Sequence, residues 1–435
     1  MNNQSPVPIV PRADHSVSRQ SISENALKVL YRLKKANYDA YLVGGGVRDI
    51  LLGKQPKDFD IATNASPEQL RDLFRNSRII GRRFRLVHVR FGRDIIEVAT
   101  FRSGHTDTDD DTLARVADGL IVRDNVYGTL EEDAWRRDFT INALYYNIDD
   151  FSLVDYTGGL PDLETRTLRM IGDPVVRLQE DPVRMLRAVR LAAKLDFNIE
   201  PQLEEQILAQ GERLELVPSA RLYDEVIKLF FSGHGQHTLI LLEQYRLLQY
   251  LFTLTSSCLS KDDYPEKFIQ IAVRNTDRRI ADDLPVTPAF LFAAMLWPAV
   301  QEQSRALEKV GHSPLQALNI AGGEALQVHH TPVAIPKRFR LVMKEIWGFQ
   351  NRLEQPKGKR ALKLVEHPRF RAAYDFLLLR NEAGEPLDEL CKWWTEFQQA
   401  SREVQHEMCR TLGGGSGRKR RRSRSGKKSS PNKSE

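Results

Sequence analysis

The chain has 435 residues, enough to build at least two hydrophobic cores. Hydrophobic residues make up 41% of it and aromatic residues 8%, a composition typical of globular proteins. The longest apolar run, AFLFAAMLW at 289–297, is too short to span a bilayer, and the first residues lack a secretory signal pattern. The three cysteines are scattered, which excludes a disulfide framework and a zinc motif. We therefore expect a cytoplasmic protein without a transmembrane segment.

The positive charge is concentrated in one place. The net charge is +6, but residues 418–435 contain nine Lys/Arg and one Glu, so the remainder of the chain is near −2. A block of like charge does not fold on itself and is typical of an arm that binds polyanions. A merely solubilising terminus is the alternative.

The first 170 residues predict an α+β region with a mixed sheet. Residues 1–20 are polar and are expected to form a flexible arm. From 21 to 170, the strand patterns AYLVG, DFDIAT, RLVHVRFG and IIEVATFR alternate with the helical patterns VRDILLG, PEQLRDLFRN and INALYYN. The acidic stretch 103–117 has no apolar periodicity and indicates a flexible insertion.

Residues 171–411 predict an all-α region. Apolar residues recur at helical spacing in EDPVRMLRAVRLAAKL, PSARLYDEVIKLFF, HTLILLEQYRLLQYLF, PAFLFAAMLW, PKRFRLVMKEIWGFQNRL and RFRAAYDFLLLRNE. We divide this region near residue 230. A glycine-rich hinge then leads into a basic tail, 412–435, which we expect to be disordered.

A glycine turn follows the first sheet strand. Gly44, Gly45 and Gly46 end AYLV and begin the helix VRDILLG, so backbone N–H groups there can approach a phosphate, with a favourable field from the helix N-terminus. Arg48 can add a bidentate contact, and Gly53 suits the helix C-terminus. Tight packing is the alternative explanation for the glycines.

Two aspartates follow this turn. Alternation along a strand places Asp58 and Asp60 on one face, where their mutual repulsion favours a divalent cation between them. Mg²⁺ prefers one or two carboxylates together with substrate phosphate oxygens. The alternative is a turn in which the aspartates cap neighbouring backbone groups.

The segment GGGVRDILLGKQPKDFDIAT resembles the signature of the class II nucleotidyltransferases of the DNA polymerase beta superfamily, which include tRNA CCA-adding enzymes and bacterial poly(A) polymerases. RRDFTINALYYN, DYTGGLPDL and EDPVRMLRAVRLAAKL resemble three further motifs of this family in the same order. The resemblance covers about residues 40–230. It implies a nucleotidyltransferase head (21–170), a helical neck that binds the base and RNA (171–230), and an RNA-binding body (231–411).

The resemblance also implies roles for individual residues. Two Mg²⁺ ions would be held by Asp58 and Asp60, with Glu97 as a further ligand unless it pairs with an arginine. Asp138 would be an active-site acid, although it can also cap a helix beginning at FTINALYY. ATP would be bound by a set of residues on the glycine turn and the later motifs: Gly44, Gly45, Arg48, Arg137, Asp181, Arg184, Arg187 and Arg190.

Within this set, Asp181 and Arg184 would read the base edge while Arg187 and Arg190 hold phosphates. The three arginines recur every third residue with no acid between them, so we expect an unpaired basic stripe. Asp181 and Pro182 also suit the start of a helix, and an aspartate engaged in capping is less free to bond a base.

The segment IIGRRFRLVHVRFG (79–92) resembles the bacterial poly(A) polymerases rather than the CCA-adding enzymes. The resemblance implies template-independent addition of AMP from ATP to RNA 3′ ends by a monomer, and contact with RNA-degradation machinery and an RNA chaperone. CCA addition to tRNA is the alternative, and an inactive RNA-binding protein is a third. Arg82, Arg83, Arg85, the segment 357–364 and the tail are candidates for the RNA path.

Overall fold

The computed structural model describes residues 9–81, 85–103, 114–117, 120–124, 126–259, 261–327, 332–356 and 359–413. Of the stretch 103–117, predicted to be a flexible insertion, residues 104–113 lie outside these residues and residues 114–117 form a strand. Arg82, Arg83 and the basic tail from 414 also lie outside them. Internal contacts divide the chain into two units. The first comprises Met1–Ser260, Val273–Val286 and Gln327–Ile335, and the second comprises Lys261–Ala272, Thr287–Leu326 and Pro336–Glu435.

A mixed eight-stranded sheet organises the first unit, as the sequence predicted. Its strand order is β1-β10-β9-β2-β3-β6-β5-β4, and β3 and β6 are parallel while the other neighbours are antiparallel. Two short pairs, β7 with β8 and β11 with β12, lie outside it. The strands are β1 (Ile9–Val10), β2 (Ala40–Val43), β3 (Asp60–Thr63), β4 (Ser77–Ile80), β5 (Leu86–Phe91), β6 (Asp94–Thr100), β7 (Ala114–Ala117), β8 (Leu120–Asp124), β9 (Leu144–Asn147), β10 (Leu153–Asp155), β11 (Thr167–Leu168) and β12 (Asn198–Ile199).

The helices of the first unit form where apolar spacing and end signals agree. In α1, Ser23 accepts a hydrogen bond from the N–H of Ala26, and a buried stripe of four residues including Leu30 and Leu33 follows at helical spacing. These helices are α1 (Glu24–Lys35), α2 (Gly45–Leu51), α3 (Pro67–Leu73), α4 (Leu130–Trp135), α5 (Gly159–Glu164), α6 (Pro174–Glu180), α7 (Val183–Leu195), α8 (Pro201–Gln210), α9 (Ser219–Phe230), α10 (Gly235–Gln244) and α11 (Thr253–Leu259).

Three local predictions were wrong. INALYYN is a single 3-10 turn followed by strand β9, because its tyrosines are fully buried between neighbouring strands of the sheet. The helix predicted over 237–252 ends at Gln244, since Arg246 adopts a left-handed conformation with φ 56°. Strand structure also persists past residue 171, in β12.

The rest of the described chain is helical, as predicted. In the second unit, a core cluster is built on aromatic side chains such as Phe370, Trp394 and Phe397, and the indole of Trp394 donates to the carbonyl of Leu353 at 2.9 Å. No helix in the described part of the chain is long and apolar enough to cross a bilayer. The remaining helices are α12 (Asp263–Ala281), α13 (Pro288–Lys309), α14 (Pro314–Glu324), α15 (Lys337–Leu353), α16 (Lys359–Val365), α17 (Phe370–Ala383), α18 (Asp388–Gln399) and α19 (Arg402–Gly413).

Candidate active site

The glycine turn lies between β2 and α2. Gly44 has φ 75° and ψ −139°, a conformation that side chains disfavour, and it immediately precedes α2. A Cβ atom at this position would lie 3.7 Å from Nη1 of Arg137 and 3.7 Å from Oδ2 of Asp60. The missing side chain therefore leaves open a space bordered by one guanidinium and one carboxylate. Gly53, with φ 70°, follows the C-terminus of α2 as predicted.

Arg48 lies beneath this turn. It is buried, its Nε and Nη2 donate to Oδ1 of Asp49 at 2.9 and 2.6 Å, and its Nη1 donates to Oδ1 of Asn142 at 2.5 Å. Nη2 would lie only 3.3 Å from a Cβ at Gly45. These bonds use three of its five N–H groups and leave the other two.

The predicted metal ligands meet at the start of β3. Asp60 is the first residue of β3 and pairs in register with Glu97 on the parallel strand β6, while Asp58 precedes the strand by two residues. Glu97 contacts a histidine, since its Oε1 lies 3.0 Å from Nε2 of His88; the alternative expectation was an arginine. Burial raises the pKa of Asp60 to about 6, with Glu97 and Asp58 adding to the effect and Arg137 opposing it.

The acids fit a divalent cation that is also bound by substrate. Burial and the charges of Glu97 and Asp58 make Asp60 costly to ionise, and a cation bound at this point would offset that cost. Among the described residues, however, no group of three or more potential ligands is arranged to hold a metal ion alone. Mg²⁺ fits such an incomplete set, because it keeps only one or two protein carboxylates when phosphate oxygens supply further ligands.

Arg137 faces the acids from a buried network that the sequence did not reveal. Its Nε donates to the hydroxyl of Tyr145 at 2.9 Å and its Nη2 to Oδ2 of Asp133 at 3.1 Å, and Tyr145 donates to the same carboxylate oxygen at 2.8 Å. Burial alone would lower the pKa of Arg137, but Tyr145 and Asp133 raise it above its usual range. The network fixes the guanidinium as a permanent cation beside Gly44. The signal in the sequence was the i,i+4 spacing of Asp133 and Arg137.

Asp138 is held by Arg187 of α7. Its Oδ2 accepts from Nε of Arg187 at 2.7 Å, and its Oδ1 accepts from the backbone N–H of Phe139 and from Nδ2 of Asn142. Burial by itself would raise the pKa of Asp138, but Arg187 holds it well below its usual range. Asp138 does not cap an α-helix, because the predicted helix is absent.

The arginine stripe of α7 is not unpaired, which corrects the sequence-based expectation. Arg184 donates to Oε2 of Glu180, four residues earlier, at 2.9 Å. Arg187 pairs with Asp138, which lies 49 residues away in the sequence, so an acid neutralises each of these two arginines. Arg190 differs: its Nε is buried without a hydrogen-bond partner in the described chain. Burial, and then the charge of Arg187, lower the pKa of Arg190.

Asp181 has an ion-pair partner on another helix. Its two carboxylate oxygens accept from Nη1 and Nη2 of Arg221 at 2.7 and 2.6 Å, a bidentate arrangement. The helix begins at Val183, not at Pro182, and Oδ1 of Asp181 accepts only a long bond from the N–H of Val183 at 3.3 Å. Helix capping therefore engages Asp181 only weakly. The group that competes with a base for its carboxylate is Arg221.

The motif DYTGGLPDL packs against the 3-10 turn that carries part of the site. The carboxylate of Asp155 accepts from four consecutive backbone N–H groups, 157–160. A Cβ on Gly159 would lie 2.4 Å from the carbonyl oxygen of Thr140, so only glycine permits this approach. The motif thus fixes the 3-10 turn that contains Asn142, the partner of Arg48 and Asp138.

Comparison with known proteins shows the family to which the chain belongs. The family model described as "Poly A polymerase head domain" matches residues 40–169. Poly(A) polymerase I of Escherichia coli O157:H7 is 50% identical over 93% of this chain and 89% of its own length, and that of Haemophilus influenzae is 46% identical over 92% and 90%. The chain belongs to the poly(A) polymerase I family.

Other relatives place this family beside the CCA-adding enzymes. The CCA-adding enzyme of Lactobacillus helveticus is 38% identical over 48% of this chain and 51% of its own length. A solved CCA-adding enzyme of Bacillus stearothermophilus in complex with CTP covers 89% of this chain and 81% of its own, at 25% identity and a TM-score of 0.56. The chain is therefore a nucleotidyltransferase-type enzyme, in a family whose members generally depend on nucleotides and divalent metal.

Two further poly(A) polymerase models match the helical part of the chain. Residues 196–259 match "Probable RNA and SrmB- binding site of polymerase A", and residues 310–428 match "Polymerase A arginine-rich C-terminus". The first range includes α9, which supplies Arg221 to the site, and the second includes most of the basic tail.

Proposed function

We propose that this enzyme adds adenylate residues from ATP to RNA 3′ ends without a template. The observation that carries the proposal is the juxtaposition at Gly44, whose missing side chain faces Nη1 of Arg137 and Oδ2 of Asp60. An anion-binding group and a metal-binding group at one open point suit a nucleoside triphosphate, whose phosphates need both.

The chain's own residues orient the reactants. Asp58 and Asp60, with Glu97, would hold two Mg²⁺ ions, and such ions lower the pKa of an attacking hydroxyl and stabilise the charge of a departing pyrophosphate. Arg137 and the remaining donors of Arg48 bind the triphosphate at the turn formed by Gly44 and Gly45. The 3′-hydroxyl of RNA then attacks the α-phosphorus, and pyrophosphate leaves in line.

The neck residues select the nucleotide. Asp181 and Arg184 would bond the base edge, and Arg187 and Arg190 would contact phosphates; the unsatisfied Nε of Arg190 supports the latter role. Asp138 is an active-site acid that acts by orienting Arg187. Asp181 is paired with Arg221 and Arg184 with Glu180, so contact with a base requires either additional hydrogen bonds from these side chains or exchange of these partners.

RNA adenylation also implies a cellular role for this enzyme. Adenylated RNA 3′ ends would mark bacterial RNAs for decay, so we propose contact with RNA-degradation machinery and an RNA chaperone. We also propose that the enzyme is monomeric and that it works in the reducing cytoplasm; the three free cysteines support only the second of these two proposals.

The decisive experiment supplies a short non-tRNA oligonucleotide, Mg²⁺ and one nucleoside triphosphate at a time. A long ladder with ATP alone is the expected result. A stop after a few additions, or a requirement for CTP and a tRNA-like acceptor, would instead support CCA addition, which the partial match to CCA-adding enzymes keeps as the second candidate. RNA binding without any extension would indicate an inactive protein.

A further inference from the structure

Four polar side chains form a row across the sheet of the first unit. Asp60 pairs in register with Glu97, Glu97 with His88, and His88 with Arg78, on the adjacent strands β3, β6, β5 and β4. Residues paired directly across neighbouring strands share one face, and the strands are about 4.8 Å apart. The row therefore leads from the candidate metal ligands to the edge of the sheet.

One hydrogen bond joins the second and third members of this row. Nε2 of His88 lies 3.0 Å from Oε1 of Glu97. Because an ionised carboxylate only accepts hydrogen bonds, Nε2 is the donor. The side chain of His88 is 20% exposed and that of Glu97 is 47% exposed, so the less mobile partner is the histidine. Oε2 of Glu97 is not used in this bond and can bind another group.

Glu97 needs such a partner because of its neighbours. A half-exposed glutamate has several rotamers, and repulsion from Asp58 and Asp60 favours those that point away from them. Binding of a cation by Glu97 would then cost free energy twice. The side chain loses rotamer freedom, and it must adopt an orientation that repulsion from Asp58 and Asp60 disfavours. A hydrogen bond from a largely buried ring removes much of that cost before the cation arrives.

We propose that His88 is a positioning residue that holds Glu97 in the orientation in which its free oxygen Oε2 completes the divalent-cation site of Asp58 and Asp60. The inference rests on the proposed function. His88 itself contacts neither cation nor nucleotide, and acts through Glu97 alone. It resembles in kind the outer hydrogen bonds that orient metal-ligating carboxylates, whose removal typically weakens metal binding about 10–100-fold.

Metal binding can be measured without catalysis. The full chain is titrated with Mn²⁺ in the presence of a non-hydrolysable ATP analogue and no RNA, and free Mn²⁺ is followed by electron paramagnetic resonance. We expect His88→Ala to weaken Mn²⁺ binding about 10-fold or more. His88→Gln, whose amide N–H can still donate, should restore most of the affinity. Arg90→Ala is the matched control, because Arg90 is exposed on the same strand and face.

A double-mutant cycle separates positioning from a general structural effect. If His88 acts only through Glu97, His88→Ala should change Mn²⁺ affinity less than about twofold once Glu97→Gln is present. Additive losses, or wild-type affinity in His88→Ala, would overturn the proposal. A wild-type chain that binds no Mn²⁺ would refute the metal site of the proposed function as well, whereas equal binding by wild type and His88→Ala refutes only the role of His88. Circular dichroism of each variant checks that it is folded.

Discussion

Replacing Asp60 by asparagine should stabilise the metal-free protein while it removes activity. The pKa of Asp60 is raised from 3.8 to about 6, chiefly by burial and then by Glu97. A carboxyl group with a raised pKa contributes stability at low pH and loses it as pH rises through the folded-state value. Two pKa units correspond to about 3 kcal/mol, of which about 1.4 kcal/mol develops between pH 5 and pH 8. Asparagine keeps a similar shape without this pH-dependent cost.

The assay is urea unfolding of wild type and Asp60→Asn in chelator-containing buffer at several pH values from 5 to 8. We expect the stability difference to shift toward the variant by about 1.4 kcal/mol over this range. Asp72→Asn, at an exposed acid on α3, is the control for the substitution itself. Mg²⁺ with an ATP analogue should then stabilise wild type more than Asp60→Asn. The reasoning would be refuted if the difference in free energy of unfolding between the two proteins did not change with pH. It would also be refuted if wild type gained stability relative to Asp60→Asn as the pH rises.

Three further outcomes are expected. Arg187→Ala should lower the free energy of unfolding by about 2–3 kcal/mol in the same urea assay. This is less than for a fully buried ion pair, because the side chain of Arg187 is 35% exposed. Arg187→Lys should recover part of the lost stability. Gly44→Ala should raise the KM for ATP about tenfold through strain at φ 75° and the filled space, and an unchanged KM would contradict the phosphate role. Deleting residues 418–435 should weaken RNA binding and flatten its dependence on salt, as read by filter binding, with activity at saturating RNA retained.

Local patterns predicted the elements that position the reacting groups. Turn chemistry and apolar spacing, which act over a few residues, predict four of these elements. They are the glycine turn, helix α2 with Gly53 after it, the strand that carries Asp60, and the helix of the arginine stripe. The mixed sheet and the helical remainder followed for the same reason. The family was likewise recognisable from motifs in order along the chain.

Contacts between distant segments could not be predicted in this way. INALYYN has helix-compatible spacing, yet β9 forms because two tyrosines are buried between β2 and β10. The ion pairs of Asp138 with Arg187 and of Asp181 with Arg221 join residues 49 and 40 positions apart. Such pairs depend on the packing of whole helices and strands, which apolar periodicity does not determine.

The central claim is that Asp58 and Asp60 hold the divalent cations on which adenylate transfer depends. Its most direct test is incorporation of α-phosphate-labelled ATP into an oligonucleotide by Asp58→Ala and Asp60→Ala, each shown to be folded and to bind RNA. Loss of a metal ligand removes several kcal/mol of transition-state stabilisation, so we expect incorporation to fall on the order of a thousandfold or more. Incorporation by either variant within tenfold of wild type would contradict the account.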